Sequence, residues 1–182
     1  SLQRQTGLWA AAYVAGATLV AICAAIAFRH HAATVDAAPT SSERVSGLRR
    51  LRWTALSFMP ASLMMAVTSY LSTDVAAVPL LWVVPLALYL LTFVVAFGRR
   101  GDRVSAAVAH RLPIVLLPLV LLIATRGGVP LWFMLPMHLA AFTGLALVCH
   151  AQLARDRPPT AQLTAFYLAI AAGGTLAGAF NA

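Results

Sequence analysis

Three ionisable residues stand in stretches otherwise built of apolar side chains, and they are where this sequence could do chemistry: Asp74, His138 and His150. Asp74 closes the tight polar link Ser72-Thr73-Asp74 between two apolar runs, and it is the one acidic residue of five outside the arginine-bearing segments. A carboxylate there can cap the next helix by accepting its first free N–H groups and complementing its dipole. Its sharper reading is an anionic group lining the path of a cationic substrate. His138 falls near the middle of an apolar run, with Met134 one turn before it and Met137 beside it. An ionisable ring at that depth serves as ligand, proton carrier or substrate contact, or is a neutral ring bonded to a neighbouring helix. Cys149-His150 reads either as a ligand pair or as an ordinary span end with its ring among lipid headgroups.

A metal centre needs more than these residues provide. Met134 and His138 would require further ligands at the same depth. His150, twelve residues on, is a third of a turn round the helix and at the end of the run. No metal and no cofactor is therefore expected. All 13 basic residues are arginine, so a P-loop lysine and a Schiff-base lysine are excluded outright. No GxGxxG, HExxH or CxxC occurs, and Cys23 and Cys149 both lie in apolar runs, where a structural disulfide is not expected. The sequence points to a chain with no enzyme activity of its own.

The elements that must position these residues are apolar helices. Hydrophobic residues make up 61 % of the 182 and charged residues only 10 %, a composition of the membrane class. The fold class expected is an all-α polytopic transmembrane bundle of about six spans. The first span covers residues 1–28 from about Leu8 to Phe28, with Ala17, Ala21 and Ala25 on one face; a basic linker follows over 29–52. A five-span bundle then fills 53–182: Trp53–Leu71, Val78–Phe97, a proline-interrupted span over Leu112–Thr125 that can start near Ala106, Pro130–Cys149, and a last span from about Ala161. Pro79 is placed in the first turn of the third span, and Pro85 is expected to bend it. The chain stops inside the sixth span, at Asn181-Ala182, which reads as truncation at the C-terminus.

The net charge of +8 would suggest nucleic acid in a soluble protein; here the arginines lie between apolar runs and set orientation instead. With alternating spans, eleven arginines fall on one side and only Arg4 and Arg126 on the other. By the positive-inside rule the 29–52 loop is cytoplasmic and Asp74 faces outward. Trp53, Trp82, Trp132 and Tyr70 near span ends suit an aromatic belt. The last span carries Gly173, Gly174 and Gly178, so Gly174-xxx-Gly178 and Ala169-xxx-Gly173 offer small-residue faces for close helix packing. The partners expected are the lipid bilayer and other transmembrane helices or subunits.

The blocks STDVAAVPLLWVVPLALYLLTFVVAF, HLAAFTGLALVCHAQLARDRPP and LTAFYLAIAAGGTLAGAFNA resemble the membrane portion of bacterial fused major-facilitator/spermidine-synthase-like proteins. The resemblance covers roughly Leu51 to Ala182. It implies an inner-membrane domain, part of a major-facilitator-like fold, that transports or presents a small cationic or amphipathic metabolite. The family's soluble aminopropyltransferase-like domain is absent, so no catalytic residue is implied. Gln152 and Ala165 stand where that pattern has carboxylates, whereas Asp74, His138 and His150 match it. The alternative is a non-catalytic accessory subunit of a larger membrane assembly, respiratory or photosynthetic.

Overall fold

The computed structural model describes residues 45–72, 82–125 and 130–182, together with scattered helical positions between 11 and 26. It divides into two units, Ser1–Glu43 and Arg44–Ala182. In the first, the described positions are helical and Thr18 donates its hydroxyl back to Val14 O. The rest of the expected first span, most of the linker, and Asp74 with Pro79 lie outside the described residues.

The second unit consists of helices throughout its described residues. We number them α1 (Gly47–Tyr70), α2 (Val83–Ala96), α3 (Gly101–Ala124), α4 (Leu131–Arg155) and α5 (Leu163–Asn181), with a 3-10 turn at Thr160–Gln162 before α5. The α4 helix lies at the centre, packed on α1, α2 and α3, while α5 packs along α1. Three clusters form the core. Trp53, Leu153, Phe166 and Ala169 fill one end; Val67, Leu71, Phe142 and Ala146 fill the other; Ala96, Leu147 and Ala151 join α2 to α4.

The α1 helix starts at Gly47, six residues before the span expected from Trp53. Ser46 accepts Arg49 N–H on its hydroxyl, a side-chain N-cap. Arginine is a good helix former, so Arg49, Arg50 and Arg52 extend the helix that hydropathy alone would begin later. The start of α2 differs the other way. It begins at Val83, so Pro85 sits in its first turn, where no N–H is needed, and bends nothing. Its N-cap residue is Trp82, with no side-chain cap, and Ser72 donates its hydroxyl back to Thr68 O in α1. The helix capping expected of Asp74 falls outside the described residues.

Three helices are long and apolar enough to cross a membrane, spanning Gly101–Ala124, Trp132–Arg155 and Thr160–Asn181. The α2 helix has 14 residues, about 21 Å at ~1.5 Å each, against a hydrocarbon core of about 30 Å. The α1 helix is long enough, but even its arginine-free stretch from Trp53 to Tyr70 carries five serine and threonine hydroxyls, which lower its hydropathy. Of the six spans expected, the described residues thus supply three by length and composition. Pro113 and Pro118 lie inside α3 and Pro136 inside α4 without ending either helix; helices packed in lipid tolerate such interruptions.

Close approach decides the α1–α5 seam. A Cβ on Gly173 would run into Ser57 Oγ, Thr54 O and Phe58 N of α1. Ala169, Gly173 and Ala177, four residues apart, are the buried stripe of α5. Ser57 bridges the seam by placing its hydroxyl between Thr54 O of its own helix and Ile170 O of α5, at 3.1 Å from each.

Candidate functional site

Both histidines of α4 make a hydrogen bond that assigns a hydrogen to Nδ1. His138 is the eighth residue of this 25-residue helix, nearer its middle than its start, and its Nδ1 lies 2.8 Å from Met134 O. A carbonyl only accepts, so Nδ1 carries a hydrogen, and in the neutral ring Nε2 has the lone pair. The ring stacks on Tyr70 at the end of α1, with centroids 5.0 Å apart. His138 is thus a half-buried acceptor on an aromatic ledge.

His150 is fully buried, which corrects its placement among lipid headgroups. Its ring stacks on Phe93 at 3.6 Å between centroids and meets the edge of Tyr89. Thr92 Oγ1 donates its one hydrogen to Tyr89 O at 2.7 Å, so it accepts from His150 Nδ1 at 2.9 Å. His150 Nε2 is left as a buried acceptor with no partner among the described residues. The two rings are twelve residues apart on one helix, about 18 Å along its axis, and share no ligand. Among the described residues no three His, Cys, Asp or Glu side chains converge on one point.

The Thr92–His150 bond is the polar tie between α2 and α4. Thr92→Val keeps the shape but leaves a buried imidazole N–H unpaired. A loss of about 1–3 kcal/mol is expected, read as a lowered unfolding midpoint in detergent, with Thr92→Ser restoring most of it.

At the opposite end of the bundle from His138 a second constellation appears, and it was not among the sequence candidates. Trp53 is fully buried, not in an interfacial belt. Its indole Nε1–H donates to Asp156 Oδ2 at 2.9 Å, and Arg49 Nε donates to Asp156 Oδ1 at 3.1 Å. Arg49 also lies over the Trp53 ring, 5.1 Å from its centroid, and donates to the Asp156 carbonyl. Asp156 sits between two arginines in the Arg-Asp-Arg-Pro-Pro segment, and Trp53 follows Arg-Arg-Leu-Arg. Those patterns were the available signal: a carboxylate and an aromatic among arginines at two helix ends. Trp82 and Trp132, by contrast, are exposed at the starts of α2 and α4 as a belt requires.

The remaining feature is a groove of about 530 Å³ between the end of α1 and α5, lined by Met65, Ser69, Tyr70, Gly178, Asn181 and Ala182. Asn181 Nδ2 donates to Ser62 Oγ at 2.9 Å and to Ala177 O at 2.8 Å. Both amide hydrogens are used, so its Oδ1 remains as an acceptor. Gly178 lies in this groove wall with only the Met65 methyl in reach, and Gly174 faces open space. Of the three glycines singled out in α5, only Gly173 lies in the α1 seam.

The PRAME N-terminal domain family model matches residues 59–155, more than half of the chain. The chain belongs to this family. No curated protein and no solved structure matches it. The PRAME N-terminal domain match runs from within α1 to the end of α4 and takes in Asp74, His138 and His150. Arg49, Trp53, Asp156 and α5 lie beyond it. It overturns the resemblance to fused major-facilitator/spermidine-synthase-like proteins. The blocks that carried that resemblance are rich in alanine, leucine and valine, which closely packed apolar helices of many origins require.

Proposed function

We propose that the chain is an integral membrane helix bundle that binds a small organic cation at the end away from its arginines and presents or passes it across the bilayer. In this reading the membrane is the inner, cytoplasmic one, the arginine-rich end is cytoplasmic, and the groove beside Tyr70 opens outward. The observation that carries it is the chemistry left over around that groove. Asn181 has used its donors and keeps an acceptor. Tyr70 borders the groove and offers an aromatic ring, and His138, stacked on it, keeps an Nε2 lone pair. Spare acceptors beside an aromatic face suit an ammonium group, which brings N–H donors and is attracted to the ring.

The test is a thermal shift of the detergent-solubilised protein with tetramethylammonium and a short alkyl diamine. Both are expected to raise the midpoint, and Tyr70→Leu with Asn181→Leu is expected to abolish the rise. Equal shifts in the double variant, or none in the parent protein, would remove the proposal.

A second reading, a non-catalytic accessory subunit of a larger membrane assembly, is favoured by a different observation. Gly174 is open to close approach, and Leu168, Leu176 and Phe180 are exposed on α5, as are Ile114, Leu117 and Val120 on α3. Copurification with defined partners at fixed stoichiometry distinguishes it. Neither reading gives the chain a reaction of its own.

A further inference from the structure

We infer that the arginine-rich end of the bundle holds the headgroup of an anionic phospholipid in the groove between the α2–α3 turn and the end of α4. The inference rests on the chain lying in a bilayer and is independent of the groove beside Tyr70. Across 49–52, 99–103 and 155–157 there are eight arginines and two aspartates. Both aspartates are already engaged: Asp156 by Arg49 and Trp53, Asp102 by Arg155 Nε at 2.6 Å. Arg99, Arg100, Arg103 and Arg157 make no ion pair among the described residues. An anion is what this end lacks.

The groove is about 220 Å³ and is lined by Phe97, Gly98, Asp102, Arg155 and Arg157. Arg155 is held across it by Asp102 and Ser105 Oγ, while Arg157 is exposed and free to turn toward a phosphate. The apolar side decides for a lipid over a free anion. Phe97, which lines the groove, continues into exposed Val94 and Leu90 on α2. Positions 90, 94 and 97 share one helix face, so an acyl chain can lie along them while its phosphate meets Arg157. Basic pockets at the cytoplasmic ends of membrane helices recognise anionic headgroups by this combination.

Native mass spectrometry of the full chain in a neutral detergent tests it, with phosphatidylglycerol, phosphatidylcholine and glycerol phosphate added separately. Phosphatidylglycerol is expected to be retained, the other two not. Arg157→Glu is expected to weaken retention by about tenfold or more, and Arg157→Gln by less. Arg111→Glu, the same charge change further along α3, is expected to leave it unaltered. Melting midpoints without lipid show whether each variant is folded. Equal retention of phosphatidylcholine would mean apolar contact alone, and equal retention of glycerol phosphate would mean an anion site without lipid. Equal losses in Arg157→Glu and Arg111→Glu would mean bulk charge. Each of these overturns the inference.

Discussion

Gly173→Leu is expected to undo the docking of α5 on α1, lowering stability by about 3 kcal/mol or more. The atoms that a side chain would meet are Thr54 O, Phe58 N and the Ser57 hydroxyl. Two are backbone and cannot rotate away, so the helices must separate. Separation also breaks the Ser57 bond to Ile170 O and opens the edge-to-face contact of Trp53 with Phe166. Gly173→Ala meets the same atoms with its one methyl and is expected to cost about 1–3 kcal/mol. The neighbouring glycine provides the control. Gly174 has nothing within reach of a Cβ, so Gly174→Ala is expected to be neutral or to stabilise by up to about 1 kcal/mol. Unfolding midpoints of the three variants in one detergent are the measurement. Equal effects at 173 and 174 would contradict the seam.

The second large effect is expected at Asp156. Asp156→Ala removes the acceptor of a buried indole N–H and of an arginine, a loss of about 2–3 kcal/mol for hydrogen bonds to a charged partner. Arg49 remains partly exposed and can rehydrate, which keeps the loss below that of a fully buried pair. Asp156→Asn keeps one carbonyl acceptor and is expected to lose about half as much. Trp53→Phe removes the N–H and part of the buried ring, whereas Trp53→Ala empties the cluster of Leu153, Phe166 and Ala169, at about 3–5 kcal/mol. Denaturant unfolding followed by tryptophan-independent circular dichroism ranks the four. If Asp156→Ala and Trp53→Phe combine without coupling in a double-mutant cycle, the two residues do not act as a pair.

How much of this was legible depends on which physical signal each residue leaves in the sequence. The α4 and α5 helices follow from their hydropathy, whereas α3, expected only from Ala106 or Leu112 on, starts at Gly101 and runs through Pro113 and Pro118. The start of α1 was hidden by composition: three arginines within six residues look like a loop, yet they are helix formers behind a serine cap. Pro85 misled because its effect depends on the helix start, and a shift of that start to Val83 turns a bend into a normal first-turn proline. His150 looked interfacial since it is close to Arg155 in the chain. Its burial arises from α2, whose Tyr89, Thr92 and Phe93 close over it, and no local pattern announces a neighbour 58 residues away. The Trp53–Asp156 pair, 103 residues apart, left a local signal in the arginines around each residue, but nothing local shows that the two meet. The groove beside Tyr70 depends on hydrogen bonds that use up the donors of Asn181, which only coordinates reveal.

The α1–α5 seam also sets an order of events. Ser57 and Ile170 are 113 residues apart, so at about 5–20 residues per second the ribosome separates them by roughly 6–23 s. Through that interval α1 has arginines in its first turns, a serine hydroxyl without its cross-helix acceptor, and an indole whose carboxylate has yet to emerge. On the reading that the bundle lies in a membrane, α1 waits at the bilayer surface or is held by the insertion machinery until α5 follows. Synthesis therefore leaves the least apolar of the described long helices without its α5 partner until last, and that stage is where misassembly of this bundle would begin.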